Sequence, residues 1–236
     1  MITLLDTTLR DGEQTSGVSF AMQEKMAIAR LLLEDLHVDR IEIASATVSD
    51  GEFETVRNIA RWANQQGYAD RVEVLGFVDG TKSLEWVKNA GIKVMNLLCK
   101  GSHRHCTMQL GKKPDEHIAD ILAVVQTANQ WGIGINVYLE DWSNGMKNSP
   151  DYVFALVDAL RSAPIRRFML PDTLGVLNPS ETDRYCRTMI ERYPELLFDF
   201  HAHNDYDLAV ANVYAAVNAG IQCVHVTVNG LGERAG

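Results

Sequence analysis

The feature that most constrains the fold is a series of short apolar runs, which recur at intervals of roughly 30 residues, the length of one strand–helix unit. Most runs are apolar almost throughout, which is typical of parallel strands buried on both faces. We therefore predict eight strands, at Ile2–Asp6, Arg40–Ala44, Val72–Val78, Val94–Cys99, Gly134–Glu140, Arg167–Pro171, Phe198–His203 and Cys223–Val228.

Helical patterns with start and stop signals fill the segments between these runs. Pro114, for example, begins a helix that stops at Gly132, because proline is favoured in the first turn of a helix and glycine just after the last. Seven helices are predicted in this way: Gln23–Asp35, Glu52–Gln66, Ser83–Asn89, Pro114–Trp131, one capped by Ser149-Pro150-Asp151, one begun by Asn178-Pro179, and Leu208–Asn218.

Eight strands that alternate with helices predict an α/β fold, a (β/α)8 TIM barrel. A doubly wound open sheet is the alternative. That fold usually has fewer strands and a glycine-rich nucleotide loop after the first one, where this chain has the charged segment Asp6–Gln14. Because only seven helices follow eight strands, we expect residues 1–236 to form one catalytic barrel domain, truncated before the eighth helix. Any lid or regulatory domain would then lie outside this chain.

Composition restricts the possible partners. The formal net charge of −9 argues against nucleic acid and anionic membrane surfaces, although local arginines can still bind a small anion. The four cysteines lack the spacing of a zinc ribbon, and neither a signal peptide nor an apolar run of membrane-spanning length is visible. We expect a cytoplasmic protein that binds small-molecule substrates, with no nucleic-acid or membrane partner.

Polar side chains concentrate at the predicted carboxyl ends of the strands, where barrels of this kind carry their active sites. Asp11 follows the first strand, and His201 and His203 lie at i and i+2 near the end of the seventh, so they share a face. One carboxylate and two imidazoles are a common ligand set for a catalytic divalent metal. An H-x-H pair alone is more often structural, so the predicted metal site depends on its combination with Asp11.

Other polar residues at the strand ends carry weaker signals. His105, beside His103 in a second H-x-H, is a candidate for substrate contact rather than for metal binding. Gly230 and Gly232 form a glycine-rich turn after the eighth strand, a place where barrels often bind an anionic cofactor group, although a plain turn is the alternative. We expect His225 to face the barrel interior as a hydrogen-bonded core residue.

Three motifs resemble those of the isopropylmalate, homocitrate and citramalate synthase family, within the DRE-type TIM-barrel metallolyases. They are Leu9–Gln14 followed by Lys25, His201–Asp205, and Gly230–Gly236. Asp207 replaces a glycine that usually follows the second motif, at a position where we expect a helix to start. The resemblance implies a condensation of acetyl-CoA with a 2-oxo acid and hydrolysis of the thioester, dependent on a divalent metal (Mg, Mn or Zn) and performed by a homodimer in the full-length protein.

The resemblance also implies roles for individual residues. Arg10 would stabilise the developing oxyanion, Glu140 would help to deprotonate the acetyl methyl group, and Thr173 would hydrogen-bond the substrate carboxylate. Asp11, His201 and His203 would bind the metal together with an asparagine just beyond the end of this chain.

The segments Asn96–Ser102 and Val137–Gly145 look most similar to the (R)-citramalate synthase branch, although Thr47 replaces an arginine of that branch. That branch acts on pyruvate in branched-chain amino-acid biosynthesis, and its methyl pocket corresponds to Leu75, Leu98 and Tyr138. The nearest alternative is a 2-isopropylmalate synthase acting on 2-oxoisovalerate. An aldol-type acyl-CoA lyase is an alternative from another reaction class, and it normally carries a cysteine in the strand-eight glycine turn, where this chain has none. A non-catalytic binding barrel is the third alternative.

Overall fold

A computed structural model describes residues 2–236 and shows a closed barrel of eight parallel strands, each hydrogen-bonded to the next in chain order. The ring closes where Thr3–Asp6 pairs with Cys223–Val226. The predicted (β/α)8 fold is therefore confirmed. The strands are β1 Thr3–Asp6, β2 Arg40–Ser45, β3 Val72–Phe77, β4 Val94–Lys100, β5 Gly134–Glu140, β6 Ile165–Asp172, β7 Phe198–Ala202 and β8 Cys223–Val226.

Helices surround the ring and follow every strand except β8 within the described residues. They are α1 Met22–Arg30, α2 Asp50–Gln66, α3 Lys82–Ala90, α4 Pro114–Gln130, α5 Trp142–Asn148, α6 Pro150–Leu160, α7 Pro179–Arg192 and α8 Ala209–Ala219. The predicted first helix ends in a π-helical turn, Leu31–Asp35, and a second such turn, His105–Gln109, follows β4. Among residues 2–236, none of the helices combines the length and the apolar composition that a membrane span requires.

Helix α2 illustrates why the sequence forms these elements. The Ser49 hydroxyl accepts a hydrogen bond from the backbone N–H of Glu52 at 3.1 Å, and Gly67 ends the helix with a left-handed φ of 78°. Such caps satisfy backbone groups that a helix leaves free at its ends. Val56 and Ile59, three residues apart, are fully buried against the barrel. Burying each of these side chains contributes about 1.5–3 kcal/mol, so packing fixes the helix on the strands.

Three local features differ from the predictions. Helix α5 is absent from the predicted helices; its seven residues begin after Asp141, whose φ of 66° is left-handed. The Ser149 hydroxyl does not cap α6, because it accepts a hydrogen bond from the backbone N–H of His103 at 3.3 Å. Asp207 does not start a helix. Its φ is 57°, and α8 begins only at Ala209, so a left-handed turn explains why a glycine suits this position.

The barrel interior holds a group of polar side chains beside a small apolar cluster, whereas the layer between strands and helices is apolar. Barrels of this kind usually fill the interior with branched apolar side chains. In this chain, charged and amide side chains from six strands pair with one another inside the ring. We call this group the interior polar network; its members are Arg40, Glu42, Glu73, Asn96, Asn136, Asp199 and His225.

Candidate active site at the carboxyl end of the barrel

The loop after β1 carries Asp11 to the carboxyl end of the barrel. The backbone N–H groups of Arg10 and Asp11 both donate to the Thr7 carbonyl, at 3.0 and 2.8 Å. The Nζ atom of Lys25 is buried and lies 2.6 Å from a Glu13 carboxylate oxygen, and it also pairs with Glu52. These contacts hold the loop against α1 and α2, so the Asp11 carboxylate has a fixed direction.

The predicted metal ligands lie together at this end of the barrel. Asp11 Oδ2 is 3.3 Å from His201 Nε2 and 3.8 Å from His203 Nε2, and the two Nε2 atoms are 3.3 Å apart. All three residues are buried. Strand β7 ends at Ala202, one residue before His203, yet both imidazoles face the same side.

The donor set fits a divalent cation. Atoms 3.3, 3.3 and 3.8 Å apart can all lie about 2.0–2.2 Å from a single point, the usual length of Zn–N and Mg–O bonds. The Nδ1 atoms are engaged on the other side of each ring, His201 with His225 Nδ1 at 3.2 Å and His203 with the Gly236 carbonyl at 3.3 Å. If each Nδ1 carries the proton, both Nε2 lone pairs remain free for a metal. Asp11 Oδ1 is buried without a hydrogen-bond partner.

Burial and charge keep these groups in the protonation states that a metal requires. Burial and the charge of His201 lower the pKa of His203 to about 4, and burial lowers the pKa of His201. Burial alone would raise the pKa of Asp11, but its contact with His201 and the Arg10 charge outweigh burial and lower it. At neutral pH the site therefore offers two neutral imidazoles and one carboxylate, the forms that ligate metals.

Arg10 lies beside the predicted metal ligands, and an ion pair with Glu42 fixes its guanidinium group. Its Nε donates to Glu42 Oε2 at 2.6 Å, and its Nη1 is 3.5 Å from Asp11 Oδ1. Burial disfavours the guanidinium charge, but Glu42 outweighs burial and raises the pKa of Arg10. The cation is thus permanent and fixed in direction, as stabilisation of a developing negative charge requires.

A cavity of about 160 Å³ adjoins the metal ligands and gathers most of the predicted site residues. Leu75, Leu98 and Tyr138 form an apolar wall from three adjacent strands, β3, β4 and β5. The complete lining is Arg10, Gln14, Leu75, Leu98, Tyr138, Glu140, Pro171, Thr173, His201, His203 and Glu233.

Thr173, which lines this cavity, has an oriented hydroxyl group. The backbone N–H of Asp141 donates to Thr173 Oγ1 at 2.8 Å. Among the described residues the hydroxyl accepts this bond and donates to no protein acceptor, so its proton is available to donate to an anion in the cavity. The left-handed conformation of Asp141 is therefore part of what positions Thr173.

Glu140 ends β5 and forms an ion pair with Lys100, the last residue of β4. Lys100 is absent from the predicted site residues because the predicted strand stopped at Cys99, although it contacts Glu140 of the cavity lining. Alternation along β4 places Asn96, Leu98 and Lys100 on one face, and this signal could have revealed it.

The structure places the remaining candidates outside the small cavity. His105 lines a second cavity of about 580 Å³ together with Asp141, and its Nε2 is 3.4 Å from Asp141 Oδ2. Gly230 lines a third cavity of about 490 Å³, between β8 and α8. The Gly232 carbonyl accepts a hydrogen bond from the Thr15 hydroxyl at 2.9 Å, which ties the strand-eight turn to the loop after β1.

Comparison with known proteins identifies relatives over the whole chain. The family model described as HMGL-like matches residues 1–236. A 2-isopropylmalate synthase from Nitratidesulfovibrio vulgaris is 35% identical over 100% of this chain and 45% of its own length. A protein named "Putative (R)-citramalate synthase" from Methanopyrus kandleri is 34% identical over 100% of this chain and 45% of its own length. The chain thus spans about half the length of these relatives.

Solved structures share the fold at lower sequence identity. The HMG-CoA lyase from Brucella melitensis has a TM-score of 0.75 and 21% identity, over 98% of this chain and 82% of that one. The carboxyl transferase domain of pyruvate carboxylase from Rhizobium etli has a TM-score of 0.74 and 17% identity, over 98% of this chain and 40% of that one.

Proposed function

The chain belongs to the HMGL-like family, and from this premise we propose that it is the catalytic barrel of a metal-dependent enzyme that condenses acetyl-CoA with a small 2-oxo acid and hydrolyses the thioester. The observation that carries the proposal is the meeting of Asp11 Oδ2, His201 Nε2 and His203 Nε2, all within 4.8 Å of one another, at one wall of a small cavity. The named synthases among its relatives support the same reaction class.

A divalent metal (Mg, Mn or Zn), when bound by these three ligands, supplies a Lewis acid that polarises a keto group. The residues of the chain provide the remaining functions. The Thr173 hydroxyl donates a hydrogen bond to the carboxylate of the oxo acid. Glu140 takes a proton from the acetyl methyl group, or orients the group that does. The new carbon–carbon bond forms at the keto carbon, and Arg10 stabilises the negative charge that develops on the keto oxygen.

Acetyl-CoA enters, in this proposal, through the 580 Å³ cavity. Consecutive residues line the two cavities. Glu140 and Thr173 line the small one, and the next residues, Asp141 and Leu174, line the larger one. An acetyl group could therefore reach Glu140 while the rest of the cosubstrate occupies the larger space. His105 lines this larger cavity, and in this proposal it contacts the cosubstrate. Gly230 and Gly232 remain predicted cofactor contacts, and the homodimer remains a predicted assembly.

We propose pyruvate as the oxo acid, which makes the product citramalate. The wall of Leu75, Leu98 and Tyr138 leaves an apolar pocket beside the metal ligands, and the cavity is only about 160 Å³. A methyl side chain suits such a pocket better than an isopropyl group does. The second candidate is 2-isopropylmalate synthase, which is favoured by the name of a relative at 35% identity.

The decisive assay measures thiol release from acetyl-CoA against a panel of pyruvate, 2-oxobutyrate, 2-oxoisovalerate and 2-oxoglutarate, with identification of each product by mass spectrometry. We expect the highest kcat/KM with pyruvate and complete loss of turnover in EDTA, restored by a divalent metal. Higher kcat/KM with 2-oxoisovalerate would select the second candidate. Thiol release from no oxo acid would reject the reaction class.

Two variants test the site itself. His203→Ala should abolish both metal retention and turnover, whereas His37→Ala, at an exposed position, should change neither. Leu75→Ala should raise the kcat/KM for 2-oxoisovalerate relative to pyruvate by roughly tenfold or more, since a pocket distinguishes about 1–3 kcal/mol per methylene. Leu36→Ala, the same substitution at an exposed position, should leave that ratio unchanged.

A further inference from the structure

His225 of β8 lies inside the barrel directly behind the proposed metal ligands, and the function proposed above assigns it no role. Its side chain is 1% exposed. Its Nδ1 atom is 3.2 Å from His201 Nδ1 and 3.0 Å from the Tyr138 hydroxyl, and its Nε2 atom is 3.4 Å from Asp199 Oδ2. One buried imidazole thus contacts a metal ligand, a wall of the substrate cavity and a carboxylate.

The carboxylate on the far side of His225 is itself fixed. Asp199 is fully buried and pairs with two guanidinium groups, Arg40 Nη2 and Arg167 Nη1, the latter at 2.9 Å. A carboxylate between two permanent cations keeps its charge and accepts hydrogen bonds only. His225 Nε2 must therefore carry a proton and donate it to Asp199, which leaves His225 Nδ1 as an acceptor in the neutral ring.

Asp199, Cys223 and His225 also have the spacing of a metal-binding group, but the site already holds a cation. Arg40 Nη2 lies 2.9 Å from Cys223 Sγ and pairs with Asp199. A guanidinium among these atoms opposes a second positive charge, so the cluster serves the imidazole rather than a metal.

The direction of the hydrogen bond between the two histidines follows from this arrangement. The His225 Nδ1 lone pair lies 3.2 Å from His201 Nδ1, and two lone pairs facing each other at this distance would repel, so His201 Nδ1 must carry a proton and donate. The lone pair of His201 Nε2 is then left facing Asp11 and His203. Ligating histidines usually donate their second N–H to an outer partner in this way, which fixes both the tautomer and the ring orientation. The outer partner here is another histidine instead of a carboxylate or a carbonyl.

We propose that His225, anchored by Asp199, is a positioning residue that sets the tautomer of His201 for metal binding and also holds Tyr138 at the wall of the cavity. Burial raises the pKa of the Tyr138 hydroxyl, so the hydroxyl keeps its proton and shares the Nδ1 lone pair with His201 in a three-centre hydrogen bond. The metal ligand and the pocket wall therefore share one support. The proposal rests on the proposed function, because it needs a metal at His201.

Three substitutions test the contacts of His225 Nδ1 and His225 Nε2 separately. His225→Asn keeps an amide oxygen near the position of Nδ1, within reach of His201. His225→Gln keeps a polar group near the position of Nε2, within reach of Asp199. His225→Leu keeps neither. His117→Leu is the matched control, since His117 is also a buried histidine but bonds to the Lys100 backbone N–H on the other side of β4.

The experiment titrates each protein with Mn²⁺ alone by calorimetry, with folding checked by circular dichroism. We expect His225→Leu and His225→Gln to weaken Mn²⁺ binding by about 10- to 100-fold, as loss of an outer partner of a metal ligand typically does. His225→Asn should stay within a few-fold of the unsubstituted protein, and His117→Leu should bind Mn²⁺ normally.

The possible results separate a failure of the His225 proposal from a failure of the proposed metal site. If the unsubstituted protein binds no Mn²⁺, the metal site itself is wrong. If it binds Mn²⁺ and all three His225 variants bind equally well, His225 does not position His201. Equal loss in all three variants, in proportion to their loss of thermal stability, would also overturn the proposal, because it would indicate a structural role.

Discussion

Breaking the ion pair between Arg10 and Glu42 should be strongly destabilising, because both side chains are largely buried and the remaining charge would have no partner. The Glu42 side chain is 0% exposed and the Arg10 side chain 10%. One carboxylate oxygen accepts from Arg10 Nε at 2.6 Å, and the other accepts from Asn96 Nδ2 at 2.7 Å. Glu42→Gln preserves the shape of the side chain but removes its charge. The new amide NH2 group must then face a hydrogen-bond donor, either Arg10 Nε or Asn96 Nδ2.

The expected cost follows from these contacts. Two unit charges about 4 Å apart attract each other by about 4 kcal/mol at the effective dielectric of a protein site, and removal of one partner of a buried pair typically costs about 3–5 kcal/mol. We expect the free energy of unfolding to fall by about 3 kcal/mol, a large share of the roughly 5–15 kcal/mol typical of a folded protein. The loss should change little with added salt, because buried pairs are poorly screened.

Urea unfolding followed by circular dichroism at pH 7 measures this cost. Glu195→Gln is the control, since Glu195 pairs with Arg161 at 3.1 Å but both side chains are nearly half exposed; it should cost under about 1 kcal/mol. A double variant, Arg10→Met with Glu42→Leu, should be more stable than Glu42→Gln alone because it leaves no buried guanidinium without its Glu42 partner. A Glu42→Gln protein that unfolds within 1 kcal/mol of the unsubstituted one would refute the reasoning.

Three further predictions concern single positions. Gly145→Ala should destabilise the protein by about 1–3 kcal/mol or more in urea unfolding, because a Cβ there would lie 2.2 Å from the Gly101 carbonyl oxygen. Gly51→Ala, where the nearest atom to a Cβ is Ser49 Oγ at an ordinary contact distance of 3.9 Å, should stabilise by about 0.4–1 kcal/mol. Thr47→Gly should stabilise by about 1 kcal/mol because its φ is 64°, whereas Thr47→Ala, which keeps the strain, should not. Burial lowers the pKa of His117 to about 4, so its neutral form stabilises the fold above pH 6.5, and this stabilisation is lost as the pH falls toward 4. The His117→Gln protein should therefore lose less free energy of unfolding than the unsubstituted protein between pH 7 and pH 4.5. Equal losses would contradict the assignment.

The ring of strands was predictable because parallel strands buried on both faces are apolar along their whole length. The meeting of Asp11 with His201 and His203 was predictable for a topological reason. The carboxyl ends of all strands lie at one end of a barrel, so residues that are 190 or more positions apart in the sequence become neighbours. Helix α5 was not predictable in the same way, since seven residues that include Gly145 show no helical period.

Apart from the predicted interior position of His225, the interior polar network was not predictable, because its contacts depend on strand register. Glu42, Asn96 and Asn136 each interrupt an apolar strand, and this is a signal that the barrel interior is unusual. Which partners meet is decided by the register of neighbouring strands, as when Asn96 lies opposite Asn136. Arg40 meets Asp199 across 159 positions of sequence. No local pattern contains that information.

The interior polar network connects the stability of the barrel to the chemistry proposed at its carboxyl end. Burying one unpaired ion costs several kcal/mol, so each interior carboxylate needs a cation, and Arg40 serves both Glu73 and Asp199. Asp199 in turn fixes His225, and Glu42 fixes Arg10. The folding free energy of the barrel therefore orients the two groups that approach the predicted metal ligands and the cavity before any substrate binds. Dipoles and charges arranged in advance need no reorganisation during a reaction, and under the proposed function this is a physical reason for the barrel interior to carry charge.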